Sequence, residues 1–218
     1  MRLLLRDAQL TFGIAILGAP LLGTSLAVWS VYVPAESAAR SVVATSALEV
    51  CLPMFMAVVA ARALARDMGR GVVEYIALRG RGYRVRLAAR MAILTVAWAV
   101  AVVPVVLTSA PNDRGDLVLA NAGGSAVLAM ASLLAAAVAR SELLGAVLAA
   151  AWWIGSLAYG AALPQTLPWT ALHLSARTVG MSDWFSIKEM QLLLASTLAV
   201  IALLATPRLV RGAVISQP

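Results

Sequence analysis

Few side chains in this 218-residue chain can act as reactive or binding groups: Glu49, the single histidine His173, the single lysine Lys188 and the single cysteine Cys51. Glu49 is the most constrained, being the only charged residue between Arg40 and Arg62. A charged side chain at the centre of a membrane-spanning helix costs around 2.5 to 3.5 kcal/mol on an insertion scale, so this carboxyl must be protonated, paired or turned to a wet cavity. Two roles suit it: a bond to a neighbouring helix through Asn121 or a serine, or a place on the wall of a substrate path, with Asn121 as the second lining candidate. Pro53, four residues on, can bend the helix and free a backbone carbonyl there.

The other candidates exclude more than they offer. A lone histidine with no cysteine or paired carboxylate at ligand spacing gives no metal site. No second catalytic group stands at matching depth for an intramembrane serine or aspartyl mechanism, so no catalytic residue is assigned. A phosphate-binding P-loop needs Gly-Lys-Ser or Gly-Lys-Thr after a strand, whereas Lys188 follows Ile187 and Ser186; the chain is not itself a P-loop ATPase. Lys188 is expected in the outer loop ahead of the last apolar stretch, which leaves no second titratable group within the spans to relay a proton from Glu49. Cys51 allows no disulfide within the chain and reads as a small core residue.

These residues must be positioned by apolar helices. Hydrophobic residues make up 62% of the chain, more than the surface of a soluble domain of this size can accommodate. The apolar runs each hold about 18 residues or more, and roughly 20 helical residues cross the hydrocarbon core. They predict an all-α integral membrane protein, a single domain over 1–218, with six spans near 10–32, 42–62, 89–110, 117–139, 143–163 and 189–206. Of the 17 basic residues, all but Arg40, Arg114, Arg177 and Lys188 fall on one side, which places both termini in the cytoplasm of a multi-pass cell-membrane protein. The net charge of +7 then reads as topology and contact with anionic lipid headgroups; no basic groove interleaved with aromatics points to nucleic acid.

Between the spans, Met1 to Leu10 suits a short interfacial helix or a charged flank, and the charge-free run after it is too long for a signal peptide. Arg140, Ser141 and Glu142 alone join spans four and five, forcing an antiparallel hairpin whose small residues, Gly123, Gly124, Ser125 and Ser132 among them, allow close helix approach. The segment from Pro164 to Met190, with Trp169, Trp184 and Phe185, is too apolar for a free linker and predicts short outer helices dipping back among the spans before span six.

The stretch from Arg62 to Arg90 has more order than a positive-inside loop requires. Val72, Val73, Ile76 and Ala77 form an apolar stripe at helical spacing, with Gly69 and Gly71 before it and Gly80 and Gly82 after it. Such a short helix outside the membrane suits docking into a groove of a soluble partner; an amphipathic segment lying on lipid is the plainer alternative. Arg79, Arg81, Arg84 and Arg86 suit lipid headgroups in either case.

In the order Asp67, Arg70, Gly71, Glu74, Leu78 and Arg81, the stretch resembles the loop between spans two and three of the permease subunits of type-2 ABC exporters. The resemblance extends along the chain to the basic N-terminal segment, the six spans, the tight fourth-to-fifth turn and the long outer segment. Val72 stands where that family commonly has Thr, and Gly80 where it has Pro. What the resemblance implies is a cytoplasmic coupling helix between spans two and three, with Asp67, Arg70, Gly71, Glu74, Tyr75, Leu78 and Arg81 contacting a separate cytoplasmic ABC ATPase. It also implies a second permease copy or a related permease as partner, ATP and Mg held by the ATPase, no cofactor on this chain, and export of a hydrophobic or amphipathic substrate. The alternative is a membrane immunity or signalling scaffold that transports nothing and uses the same loop to bind its partner.

Overall fold

The computed structural model describes residues 11–32, 37–68, 82–109, 111–159, 172–178 and 180–215. Among these there are helices and turns but no strand. A 3-10 turn over Gly13–Leu17 leads into α1 (Gly18–Tyr32); α2 (Ser37–Met68), α3 (Gly82–Thr108), α4 (Arg114–Ala139), α5 (Glu142–Tyr159) and α6 (Trp184–Ile215) follow. Among the described residues five stretches are long and apolar enough to cross a membrane, Ser46–Ala63, Tyr83–Thr108, Arg114–Ala139, Glu142–Tyr159 and Trp184–Ala205; Gly13–Trp29 is a shorter apolar helix. Large apolar side chains such as Leu107, Leu143, Leu193 and Leu204 lie more than half exposed, as expected where lipid rather than water is the solvent. The chain is a multi-pass helical membrane protein.

Helix α4 is the hub. It packs most extensively against α2, then α6 and α5, while α1 pairs chiefly with α3. Small residues make α4 fit for this place, because its buried face includes Ala120, Gly123, Gly124, Ser125, Ala129, Ser132, Ala136 and Ala137. Between helices in lipid, packing and interhelical hydrogen bonds replace the hydrophobic drive, and small side chains bring backbones within reach of both. Ser132 uses that proximity: its hydroxyl lies 2.8 Å from the Ala57 carbonyl of α2 and 3.1 Å from the Gly145 carbonyl of α5. A Cβ on Gly145 would meet the Ala136 side chain at 2.5 Å, so the α4–α5 hairpin is as tight as its short link implies.

That link is a helix stop followed at once by a helix start. Arg140 adopts the left-handed conformation (φ 53°, ψ 29°), its N–H donates to Ala137 at 3.4 Å and that of Ser141 to Ala136 at 3.1 Å, the paired bonds of a Schellman ending. Ser141 Oγ then accepts the Leu144 N–H at 3.3 Å and caps α5. A side chain held left-handed costs about 1 kcal/mol that glycine avoids. Arg140→Gly is therefore expected to exceed Arg140→Ala, which loses the same charge, by about 1 kcal/mol in unfolding free energy, read from denaturation in detergent.

The same end of the bundle gathers the flanks of the arginine-rich stretch. Arg90, buried on α3, donates to the Ala63 carbonyl of α2, and Arg62 lies 3.7 Å from Glu142 at the start of α5. With both partners of the second pair well exposed, it adds little stability, but it sets the α4–α5 turn beside the ends of α2 and α3.

Several boundaries differ from the sequence expectation. Helix α2 runs on to Met68 and α3 begins at Gly82, because nothing in Arg62–Met68 or Gly82–Arg90 breaks a helix where the apolar run stops. Trp184, Phe185 and Lys188, expected in the outer loop, belong to α6. Of the rest of the outer segment, Leu172 is in a 3-10 conformation and residues 174–178 form turns, while residues 164–171, where short outer helices are expected, lie outside the described residues. The interfacial segment Met1–Leu10, Trp169 and the stretch Arg70–Arg81 lie outside the described residues.

Candidate functional site: a buried ion pair clamping the outer turn

Glu49 does find a partner across the bundle, and it is neither Asn121 nor a serine. Its Oε1 lies 2.6 Å from Lys188 Nζ of α6, with both side chains fully buried. Helix α6 starts at Trp184, ahead of the span expected near 189–206, so the lysine sits inside the helix and faces α2. A second titratable group therefore does stand within the spans, next to the first.

The pair is built into a larger clamp. Residues 172–178 fold back into the bundle, burying His173, Leu174, Ser175 and Ala176. Non-helical backbone at such depth must have its polar groups satisfied by the protein. Three carbonyls in succession accept from side chains of the surrounding helices. Trp152 Nε1 of α5 donates to Leu172 at 3.1 Å, Gln191 Nε2 of α6 to His173 at 2.8 Å, and Lys188 Nζ to Leu174. At the far end of the turn the polarity reverses: the Arg177 and Thr178 N–H groups donate to the Glu49 carboxylate at 3.3 and 2.8 Å, and the Thr178 hydroxyl donates to it as well. Glu49 accepts from α6 and from the turn at once, so one carboxylate ties three parts of the chain together.

Local sequence explains why these side chains can meet. Gly124 of α4 faces the clamp, where a Cβ would come to 3.1 Å from the Leu174 carbonyl and 3.7 Å from Lys188 Nζ. On its neighbour Gly123 a Cβ would meet the Lys188 carbonyl at 2.9 Å, so the glycine pair lets α6 and the turn sit against the hub. Pro53, inside α2, withholds the N–H that would bond the Glu49 carbonyl. One residue beyond Glu49, the Val50 carbonyl accepts from Trp153 Nε1 at 2.6 Å. Outside the clamp, the Arg177 guanidinium stacks 5.3 Å from the Trp184 ring, which meets Phe185 edge-on. Burial in the turn holds the His173 imidazole below its ordinary pKa, so the neutral ring is favoured there.

Of the residues singled out from sequence, Glu49 and Asn121 are both fully buried. Asn121 turns its amide back to the Leu117 carbonyl of its own helix at 2.9 Å, leaving Oδ1 without a partner. Asp67 lies in the last turn of α2. Arg70, Gly71, Glu74, Tyr75, Leu78 and Arg81 lie outside the described residues. Lys188, Gln191 and Thr178 are the site residues that sequence reading missed. For Lys188 a signal existed: the only lysine of the chain stands at the end with few positive charges, three and seven residues before Gln191 and Ala195, which share its buried face.

Chemically, the arrangement is a charge pair that pins a re-entrant turn. Among the described residues no group of three or more His, Cys, Asp or Glu side chains is placed to hold a metal ion. Comparison with known proteins finds no family model that matches the chain, and no curated protein or solved structure that does so.

Proposed function

We propose that this protein is the permease subunit of an ATP-driven exporter, working with a separate cytoplasmic ATPase and a second permease, identical or related. The observation that carries the reading is the order of residues from Asp67 to Arg81, set between two helices that continue beyond their apolar spans. Helices α2 and α3 run on to Met68 and from Gly82, so a push on the connection between them would be transmitted along rigid rods into the bundle. Six spans are part of the proposal. The 3-10 turn and α1 together reach about 32 Å at roughly 2.0 and 1.5 Å per residue, enough for the hydrocarbon core.

In this reading the ATPases dock at Gly71 to Leu78, and nucleotide-driven closure biases the bundle between two states. One copy has too few helices to enclose a wide pathway, which therefore runs between permeases, with both termini and the arginine-rich end in the cytoplasm. The clamp on residues 172–178 is a structural candidate for the outer closure, since side chains of α2, α5 and α6, namely Glu49, Trp152, Lys188 and Gln191, hold that turn inward.

Deleting Gly71 to Leu78, or replacing Glu74→Arg, is expected to abolish co-purification with the ATPase and the stimulation of its ATP hydrolysis, at unchanged membrane expression. Retained binding and stimulation would remove the coupling role. A different soluble partner captured by the same loop, with no nucleotide hydrolysis, would favour the scaffold reading.

A further inference from the structure

Helices α2 and α6 both pack extensively on the hub α4 but hardly on each other. The Glu49–Lys188 pair joins them directly, at 2.6 Å. Past that point they stand apart, and a cavity of about 380 Å³ lies between them, walled by Met56 of α2, Leu192 and Ala195 of α6, Met91 of α3 and Ala126 of α4. Leu192 stands one helical turn beyond Lys188, and Met56 two turns beyond Glu49, so the cavity begins just below the clamp. Residues 172–178 reach from the clamp to its wall. Leu174, fully buried, belongs to one apolar cluster with Ala57, Val127, Leu128 and Ala195. Its carbonyl rests against α4 at Gly124, where a Cβ would come within 3.1 Å, and the next residue, Ser125, lines the cavity.

The other end of the segment lies at the surface. His173 to Ala176 are buried, whereas Thr178 and Gly180 are exposed. Gly180 is left-handed (φ 78°); its N–H donates to Arg177 and that of Met181 to Ala176, both at 3.0 Å, a closed turn that keeps its own shape at the rim of the clamp. Two classes of bond meet here. Trp152, Gln191 and Lys188 donate to main-chain carbonyls of the segment, and Glu49 accepts from its main-chain N–H groups. Water can take each of these places once the segment moves outward, so each bond is of modest net worth. The Glu49–Lys188 bond, by contrast, links two helices without passing through the segment, and breaking it would strand two buried ions. Withdrawal of the segment alone leaves both ions paired.

We propose that residues 172–178 are a plug with Leu174 as its apolar tip, which withdraws towards the Thr178 face and opens the cavity to water while the Glu49–Lys188 pair stays closed. As the moving part of the outer closure the plug rests on the exporter reading, but its test needs neither ATPase nor transport, so failure would remove the plug and leave the coupling loop standing. The test uses the purified full chain in nanodiscs, with Cys51→Ser as background, Ala195→Cys as probe and the cationic thiol reagent methanethiosulfonate ethyltrimethylammonium. Ala195→Cys is expected to react slowly in that background. Thr178→Val, which removes the hydroxyl bond to Glu49, should speed it about 10-fold, as loss of one bond of typical net worth predicts; Leu174→Ala, which shortens the tip, should act in the same direction. Thr197→Cys, two residues along α6 with its side chain exposed, faces lipid and should stay unlabelled in every variant, because a charged reagent does not enter hydrocarbon. An Ala195→Cys rate that neither substitution raises, or an equal rise at Thr197→Cys, would overturn the proposal.

Discussion

Glu49→Gln is expected to lower the unfolding free energy by about 3 to 5 kcal/mol, because it strands the fully buried Lys188 ammonium. Lys188→Met should cost a similar amount by stranding the carboxylate. The attraction within a buried pair is largely offset by the desolvation of both ions, so the loss measures the exposed partner rather than the worth of the bond. Removing both charges, as in Glu49→Leu with Lys188→Met, should therefore recover part of the loss. Full recovery is not expected, since the Arg177 and Thr178 N–H groups and the Leu174 carbonyl lose their partners too, at about 1 to 3 kcal/mol for each group that stays buried. A double-mutant cycle from denaturation in detergent reads this directly. Additive single effects, or single variants as stable as the parent, would show that the two charges do not act as one unit. Protease sensitivity of residues 172–178 should rise with the single substitutions, separating a released turn from general unfolding.

Gly23→Ala is expected to be destabilising as well, for a purely steric reason. A Cβ at Gly23 would lie 2.0 Å from the Ala101 carbonyl oxygen and 2.6 Å from its carbon. Both are backbone atoms of α3, so no side chain can rotate away, and α1 must separate from the helix it packs against most. Overpacking of this kind costs about 1 to 3 kcal/mol, more than the gain of up to about 1 kcal/mol that alanine brings to a helix interior. Gly155→Ala is the matched control, because a Cβ there meets nothing within 4 Å; it should leave stability unchanged or slightly raised. Equal melting temperatures for the two variants would contradict the close α1–α3 crossing.

How much of this was legible beforehand depends on whether a feature is local. The apolar runs fixed the helices, since a backbone in hydrocarbon has to bond to itself and only helical segments of that length satisfy it here. The α4–α5 hairpin was equally plain from a link of three residues. Helix ends were less so: charge marks where a span leaves the apolar layer, whereas a helix continues until something breaks it, which is why α2, α3 and α6 all outrun the expected spans.

The site was half legible. By itself the sequence determined that Glu49 had to be protonated, paired or turned to a wet cavity, because a bare carboxylate in an apolar helix is too costly to leave alone. Which partner, however, was decided only by the tertiary structure. Lys188 is 139 positions away and joins Glu49 because the Gly123–Gly124 step on α4 admits α6 and the re-entrant turn to the same point. Cost is written residue by residue along a chain, and the group that offsets it is chosen by the packing.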